Sequence, residues 1–435
     1  MTAVQDRSLL SGAAGSLVVR GAISVFQFAT LLYLARMITP EVFAEAAFLP
    51  IAARLGALLA LRGGTAIVLG TASVNPDRAI AEVWREFDRA RHLATGIGVV
   101  IAVLFALTFN KTSGETVLAL VWWPPAVLLT SFWMLVAEHL KGTLRVNRAI
   151  LLEFAPLSLA FGALAAAAGF GWTPSASAVA VAFVGSQLIA VLAAAPVVWA
   201  GAASRILVDG PGPLAGPGGQ PGPVVDPRSP RSALTFSTVF TLALPLVVIS
   251  LVSILGSPTD AGRLAAVIRL LSPTTIVVAA AAASFVPRIV IDRERHHGDR
   301  PFDRSPVRWS VASVAMLTVP YSLILFINPG LLETLLGDQY AGLHTALRIV
   351  AIGQMCRGLA GVAVELGQVS GHAAADARAV LVGAAVGVAA WPLLATTVSV
   401  TAAGAFLFSC LVASRSFRMF VVSYLRVPKA VPVAV

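Results

Sequence analysis

"LPIAARLGALLALRGGTAIVLG", residues 49–70, decides the class of fold. It is apolar over a length that can cross a bilayer, for which about 20 helical residues suffice, yet it carries Arg54 and Arg62. The rest of the chain has the same character. Of its 435 residues 57% are hydrophobic and 12% charged, where a soluble domain carries about a quarter charged, and mean hydropathy is +0.86. This is the composition of an all-α integral membrane protein.

The formal net charge of +10 lies in short clusters between apolar runs, without a continuous basic face. That pattern argues against nucleic acid as a partner and for membrane topology. Cys356 and Cys410 both sit in apolar segments, so they read as packing residues, and no metal or cofactor is expected. Met1 to Arg7 is short and polar, and the apolar segment after it is too long for a removable signal peptide.

Twelve stretches qualify as spans: 14–37, 43–71, 93–109, 115–138, 150–170, 176–200, 234–256, 261–287, 308–328, 343–368, 377–395 and 398–420. Most of the 31 Lys and Arg then fall on the side of the chain termini, which the positive-inside rule makes cytoplasmic. Loops on the other side are short; the longest, "NPGLLETLLGDQYAG" (328–342), is too small for a catalytic domain, so the chain does not read as an enzyme. "NPDRAIAEVWREFDRAR" (75–91) aligns Ile80, Val83, Trp84 and Phe87 on one face and predicts a helix lying on the inner leaflet, or one that docks a partner.

Residues 209–231 are more than half Gly and Pro and read as a spacer. The chain divides into a six-helix lobe (1–204), a cytoplasmic linker (205–233) and a second six-helix lobe (234–435). The halves echo each other. "ITPEVFAEAAF" (38–48) offers Thr39, Pro40 and Glu41 as a capped helix start, and "GSPTDAGRLAAVIR" (256–269) offers Ser257, Pro258 and Asp260. Each opens a span with a deep arginine, Arg54 or Arg269. Two like-oriented lobes around a central cavity follow.

An arginine at mid-bilayer costs roughly 2.5–3.5 kcal/mol on insertion scales. Arg20, Arg62 and Arg348 lie close enough to span ends to snorkel, whereas Arg54 and Arg357 do not. Acidic partners are few. Glu138 and Glu153 read as surface pairs of Lys141, Arg145 and Arg148, and Glu365, eight residues beyond Arg357, is about two helical turns from it, too far for a direct pair. The expected site is therefore a water-filled cavity lined by Arg20, Arg54, Arg269 and Arg357, with Arg62, Arg348 and Gln27 as further candidates, suited to phosphate. Glu365 is the candidate for coupling to a proton or sodium gradient, with membrane potential as the alternative source of drive.

"LLYLARMITPEVFAEAAFLPIAARLG" (31–56), "EHLKGTLRVNRAILLEFAPLSLAFGALAA" (138–166) and residues 331–387 resemble the oligosaccharide flippases of bacterial polysaccharide synthesis, in the multidrug, oligosaccharidyl-lipid and polysaccharide exporter superfamily. The resemblance implies a two-lobe transporter of the bacterial inner membrane, working by alternating access beside polysaccharide-assembly proteins. Its substrate would be a polyprenyl-pyrophosphate-linked oligosaccharide, moved from inner to outer leaflet. Related lipid II flippases are similar in placing a Leu-Pro pair before a cavity arginine, as Leu49-Pro50 precedes Arg54 here; Arg20 and Arg269 fall where that group's cationic cavity is expected. Their two extra helices are missing and their adjacent arginine is Leu55. The competing readings are a cation-coupled multidrug exporter of the same superfamily and a polytopic glycosyltransferase or ligase.

Overall fold

The computed structural model describes residues 3–74, 76–143, 145–206, 231–295, 305–369 and 372–425. Every regular element among them is helical. The first lobe contains α1 (Ala3–Met37), α2 (Pro40–Leu61), α3 (Gly64–Val74), α4 (Pro76–Thr108), α5 (Ser113–Gly142), α6 (Val146–Gly169) and α7 (Ala176–Ile206). The second contains α8 (Arg231–Leu255), α9 (Pro258–Leu270), α10 (Ser272–Arg295), α11 (Ser305–Ile327), α12 (Leu331–Leu336), α13 (His344–Ala360), α14 (Ala363–Val369), α15 (Ala373–Thr397) and α16 (Val400–Phe420), with a 3-10 turn at Asp338–Tyr340. Eight described helices are individually long and apolar enough to cross a membrane, nine if the bent pair α9 and α10 is one span. With α1, α8 and the broken pair α13 and α14 they make twelve crossings, six to a lobe. The spacer 209–231 lies almost wholly outside the described residues.

Three of the crossings are broken, each for a local reason. Between α2 and α3, Arg62 adopts φ 44° and Gly63 φ 88°, left-handed values that end the helix. Between α9 and α10 the axis bends by 45°. Pro273, at the start of α10, cannot donate into the preceding turn. The loosened carbonyls find other donors: Tyr321 Oη donates to Leu270 O at 2.6 Å, and Thr274 Oγ1 to Leu271 O at 2.6 Å. Between α13 and α14, Gly361 at φ 60° turns the chain where a Cβ would press on the Val311 backbone.

One expected element is corrected. Residues 76–91 do not form a separate surface helix but the first half of the continuous α4. No Gly or Pro breaks the chain between Arg91 and Leu93, and the apolar face is occupied: Ile80 and Val83 are buried, and Phe87 and Trp84 pack on Phe132 of α5. That face docks on its own lobe. Glu82 pairs with Arg85 toward the outside, while Glu86, buried against Gly64 at the start of α3, is paired with the exposed Arg89 one turn on. Asn75, the expected helix start, lies outside the described residues. The tight connection between the last two spans is as expected, with only Val398 and Ser399 between α15 and α16.

The lobes meet at the end of the molecule opposite the chain termini, mainly through α2 and α9. The two capped starts differ in detail. Ser257 Oγ accepts from Asp260 N at 3.1 Å, whereas Thr39 holds the cap position of α2 without a side-chain cap bond. Backbones touch at the crossing: a Cβ on Gly262 would overlap the Pro40 carbonyl group. Thr259 donates to Glu41, and Ser253 to the Thr108 carbonyl, both across the seam.

Candidate functional site

Below that seam a cavity of about 840 Å³ separates the lobes, within the range of small-molecule sites. Its walls are largely apolar, with Phe28, Phe161, Phe183 and Phe408 among them. Of the residues singled out in the sequence, Arg54, Arg269, Arg357, Gln27 and Glu365 line it. Arg62 and Arg348 do not: Arg62 is the exposed left-handed cap of α2, and Arg348 is exposed, donating to Phe326 O at 3.3 Å with its guanidinium 5.9 Å from the Phe326 ring. Both behave as interfacial anchors. Arg20 lies on α1, and its side chain is outside the described set.

The structure adds carboxylates that sequence spacing hid. Arg54, on α2, forms an ion pair with Glu153 of α6, 99 residues away, with side-chain exposures of 37% and 11%. Glu153 also meets Lys141 at 3.2 Å, and Lys141 reaches Glu138 at 2.8 Å. The expectation of a midplane arginine without a carboxylate is therefore corrected, as is the placement of Glu138 and Glu153 on the surface; both line the cavity. A chain of alternating charges, Arg54, Glu153, Lys141 and Glu138, runs along the first lobe's wall. Pairing of this kind is what makes guanidinium tolerable at that depth.

In the second lobe Arg357 approaches Glu365 to 3.7 Å. A continuous helix would hold these side chains about two turns apart, but the Gly361 turn redirects α14 and brings them together. Arg415, also on the wall, is clamped by Asp376 of α15 through two bonds of 2.6 and 2.7 Å. Sequence reading missed both partners; the signal lay in an Asp in the first turn of one apolar helix and an Arg deep in the next. Gln354 joins the same wall, accepting from Thr274 at 2.9 Å.

Arg269 differs from the other three. Its guanidinium donates to the backbone carbonyl of Ala47 at 3.0 Å, across the seam, and among the described residues no carboxylate pairs with it. The neighbouring Pro50 explains why that carbonyl is reachable: lacking an N–H and crowding the preceding turn, it loosens the hydrogen bonding of α2 around residues 46 and 47.

The two-lobe helical architecture has solved counterparts. A point mutant of the MATE transporter VcmN of Vibrio cholerae superposes with a TM-score of 0.61 over 95% of this chain and 95% of its own, at 13% identity. The fold is the MATE fold. An inward-facing multidrug resistance MATE family transporter of the MOP superfamily gives a TM-score of 0.56 at 15% identity, covering 94% of this chain and 96% of that one. A MOP superfamily transporter from Pyrococcus furiosus, described as having a binding pocket of reverse polarity that suggests a different function, gives 0.55 at 13% identity over 95% and 93%. No protein-family model matches the sequence, and no curated protein does. The MATE likeness therefore speaks for the fold, and the cargo has to be argued from the cavity.

Proposed function

We propose that this protein is an alternating-access transporter of the MATE fold, with the cavity between its lobes as the cargo path and the divisions 1–204 and 234–435 as the moving bodies. The observation that carries this is a cavity walled by both lobes and closed at one end by a seam in which Phe43, Ala44 and Ala47 of one lobe share a buried apolar cluster with Leu264 and Ala265 of the other. Export of amphiphilic, drug-like molecules against a cation gradient has the wider support. The neighbouring folds include multidrug transporters, the walls are apolar and aromatic, and Glu138, Glu153 and Glu365 supply carboxylates for which an organic cation and a proton can compete. Such competition produces exchange. Glu365 is the proposed coupling residue.

A second reading is favoured by Arg269, which keeps its charge without a carboxylate. It is the flipping of an anionic polyprenyl-pyrophosphate-linked oligosaccharide across a bacterial inner membrane, with cytoplasmic termini and polysaccharide-assembly proteins as neighbours. The readings differ in the sign of coupling. A proton taken up by Glu365 frees Arg357 for an anion, so proton and anion travel together, and outward movement of the anion draws instead on the inside-negative potential, about 2.3 kcal/mol per charge per 100 mV. Proteoliposomes decide between them. An exporter should move ethidium against an imposed pH gradient and lose that dependence in Glu365→Gln. A flippase should move a fluorescent polyprenyl phosphate in response to potential and ignore ethidium. Movement of neither probe under either gradient would remove the transporter reading.

A further inference from the structure

The loop opposite the chain termini that joins α11 to α13 is built in two parts. Its base is tied to its own lobe: Glu333 Oε1 accepts from Gly342 N at 3.2 Å and pairs with His344 Nε2 at 2.9 Å, at the start of α13. Its tip, residues 338–341, is framed by Gly337 at φ 98° and Gly342 at φ 80°, backbone conformations that other residues rarely adopt. The tip reaches across to the other lobe.

There it caps a helix to which it does not belong. α1 ends at Met37, so its last carbonyls lack donors from the helix itself. Gln339 Nε2 donates to two carbonyls at this end, Ala35 O at 2.6 Å and Ile38 O at 3.0 Å. The exchange is reciprocal. Arg36 of α1 donates to the Thr334 carbonyl in the last turn of α12. Arg263 of α9 steadies the tip from behind, donating to Gln339 O at 3.3 Å. Beside them Tyr340 is fully buried and packs edge-on against Phe43 of α2, ring centroids 6.3 Å apart.

We propose that residues 331–343 form a latch that holds the cavity shut at this end, with Gln339 as the catch and Gly337 and Gly342 as its hinges. Separating the lobes requires the Gln339 amide to leave both α1 carbonyls and Tyr340 to leave Phe43, while Glu333 keeps the loop's base with its own lobe. The catch is made of hydrogen bonds that water can replace at an interface, so it can open and reclose. Gln339 acts as a positioning residue for the closed state and makes no contact with the cavity.

The proposal rests on the transporter reading for its purpose but not for its test. In a chain carrying Cys356→Ala and Cys410→Ala, spin labels at Ser113→Cys and Val398→Cys report the separation of the lobes at this end in nanodiscs. The parent should give one short distance. Adding Gln339→Ala should bring in a second population several ångströms longer, and Gln339→Glu, which removes the donors and repels the carbonyls, should enlarge it further. Distributions unchanged in both variants would overturn the latch. Hydrogen exchange on the unmodified protein gives an independent reading that needs no variant to fold: the tip amides and those following α1 at 38–39 should exchange at similar rates, and a tip exchanging at loop rates beside a protected α1 end would overturn it. Lobes that separate in the variants, in a protein that moves no cargo, would remove the transporter reading and leave the latch.

Discussion

Arg54 and Arg269 stand at matching places, each a few turns into the second crossing of its lobe behind a proline-led start, and they are satisfied in opposite ways. Arg54 has a carboxylate and a neighbouring lysine in its own lobe; Arg269 reaches across the seam to a backbone carbonyl. The same residue type at the same depth is thus a neutralised structural pair on one side and a net charge on the other. The contrast teaches that cavity charge cannot be counted from arginines alone. What matters is which of them already has a counter-charge of its own.

The contrast can be broken most sharply at Glu153. Glu153→Gln leaves Arg54 and Lys141 together without their shared carboxylate, and losing one member of a buried pair costs about 3–5 kcal/mol. With Arg54 partly open to the cavity, the lower end of that range or less is expected, read as a lowered Tm in detergent. Arg54→Gln combined with Glu153→Gln should recover much of the loss. A single variant as stable as the parent would mean that the pair holds nothing.

Arg269→Ala tests the other side. Removing a cation that strands no carboxylate should change Tm little, while anionic cargo should bind at least tenfold more weakly, about 1.4 kcal/mol or more. Lysine should recover only part, since an ammonium lacks the planar fork of guanidinium. A large fall in Tm with unchanged cargo binding would recast Arg269 as a seam residue only.

The smallest effect belongs to Arg62. Its left-handed backbone suits glycine, so Arg62→Gly should leave stability unchanged or raise it by about 0.5–1 kcal/mol. Transport should persist. Loss of transport at an unchanged Tm would bring Arg62 back into the cargo path, against its exposed position at the break.

Hydropathy was enough to read an all-helical membrane fold of twelve crossings in two lobes, because burial in a bilayer imposes apolar runs residue by residue. The pairing was not legible. Arg54 and Glu153 meet through the packing of α2 and α6 around the cavity, a relation no local window contains. Arg357 and Glu365 were misjudged because helical spacing was carried through Gly361, where the chain turns. The helix over 75–91 was misplaced for a related reason: its amphipathic face fits a membrane surface as well as it fits α5, and only the uninterrupted run into Leu93 argues for one straight rod.

The contact at Gly262 has a mechanical side. Where side chains interdigitate, two helices must climb out of each other's grooves before they can turn; where backbone meets backbone at a glycine, there is no ridge to climb. At Gly262 the crossing of α2 and α9 is in this respect a bearing point, placed at one extremity of a long arm. From Gly262 to the end of α10 at Arg295 the chain covers about 45–50 Å at ~1.5 Å per residue, somewhat less along a straight line because of the bend. A roll of about 10° at the bearing therefore swings the far tip by roughly 8 Å, more than the ~5.4 Å pitch of a helical turn. Displacements of an ångström or two where the lobes touch are magnified severalfold at the mouth.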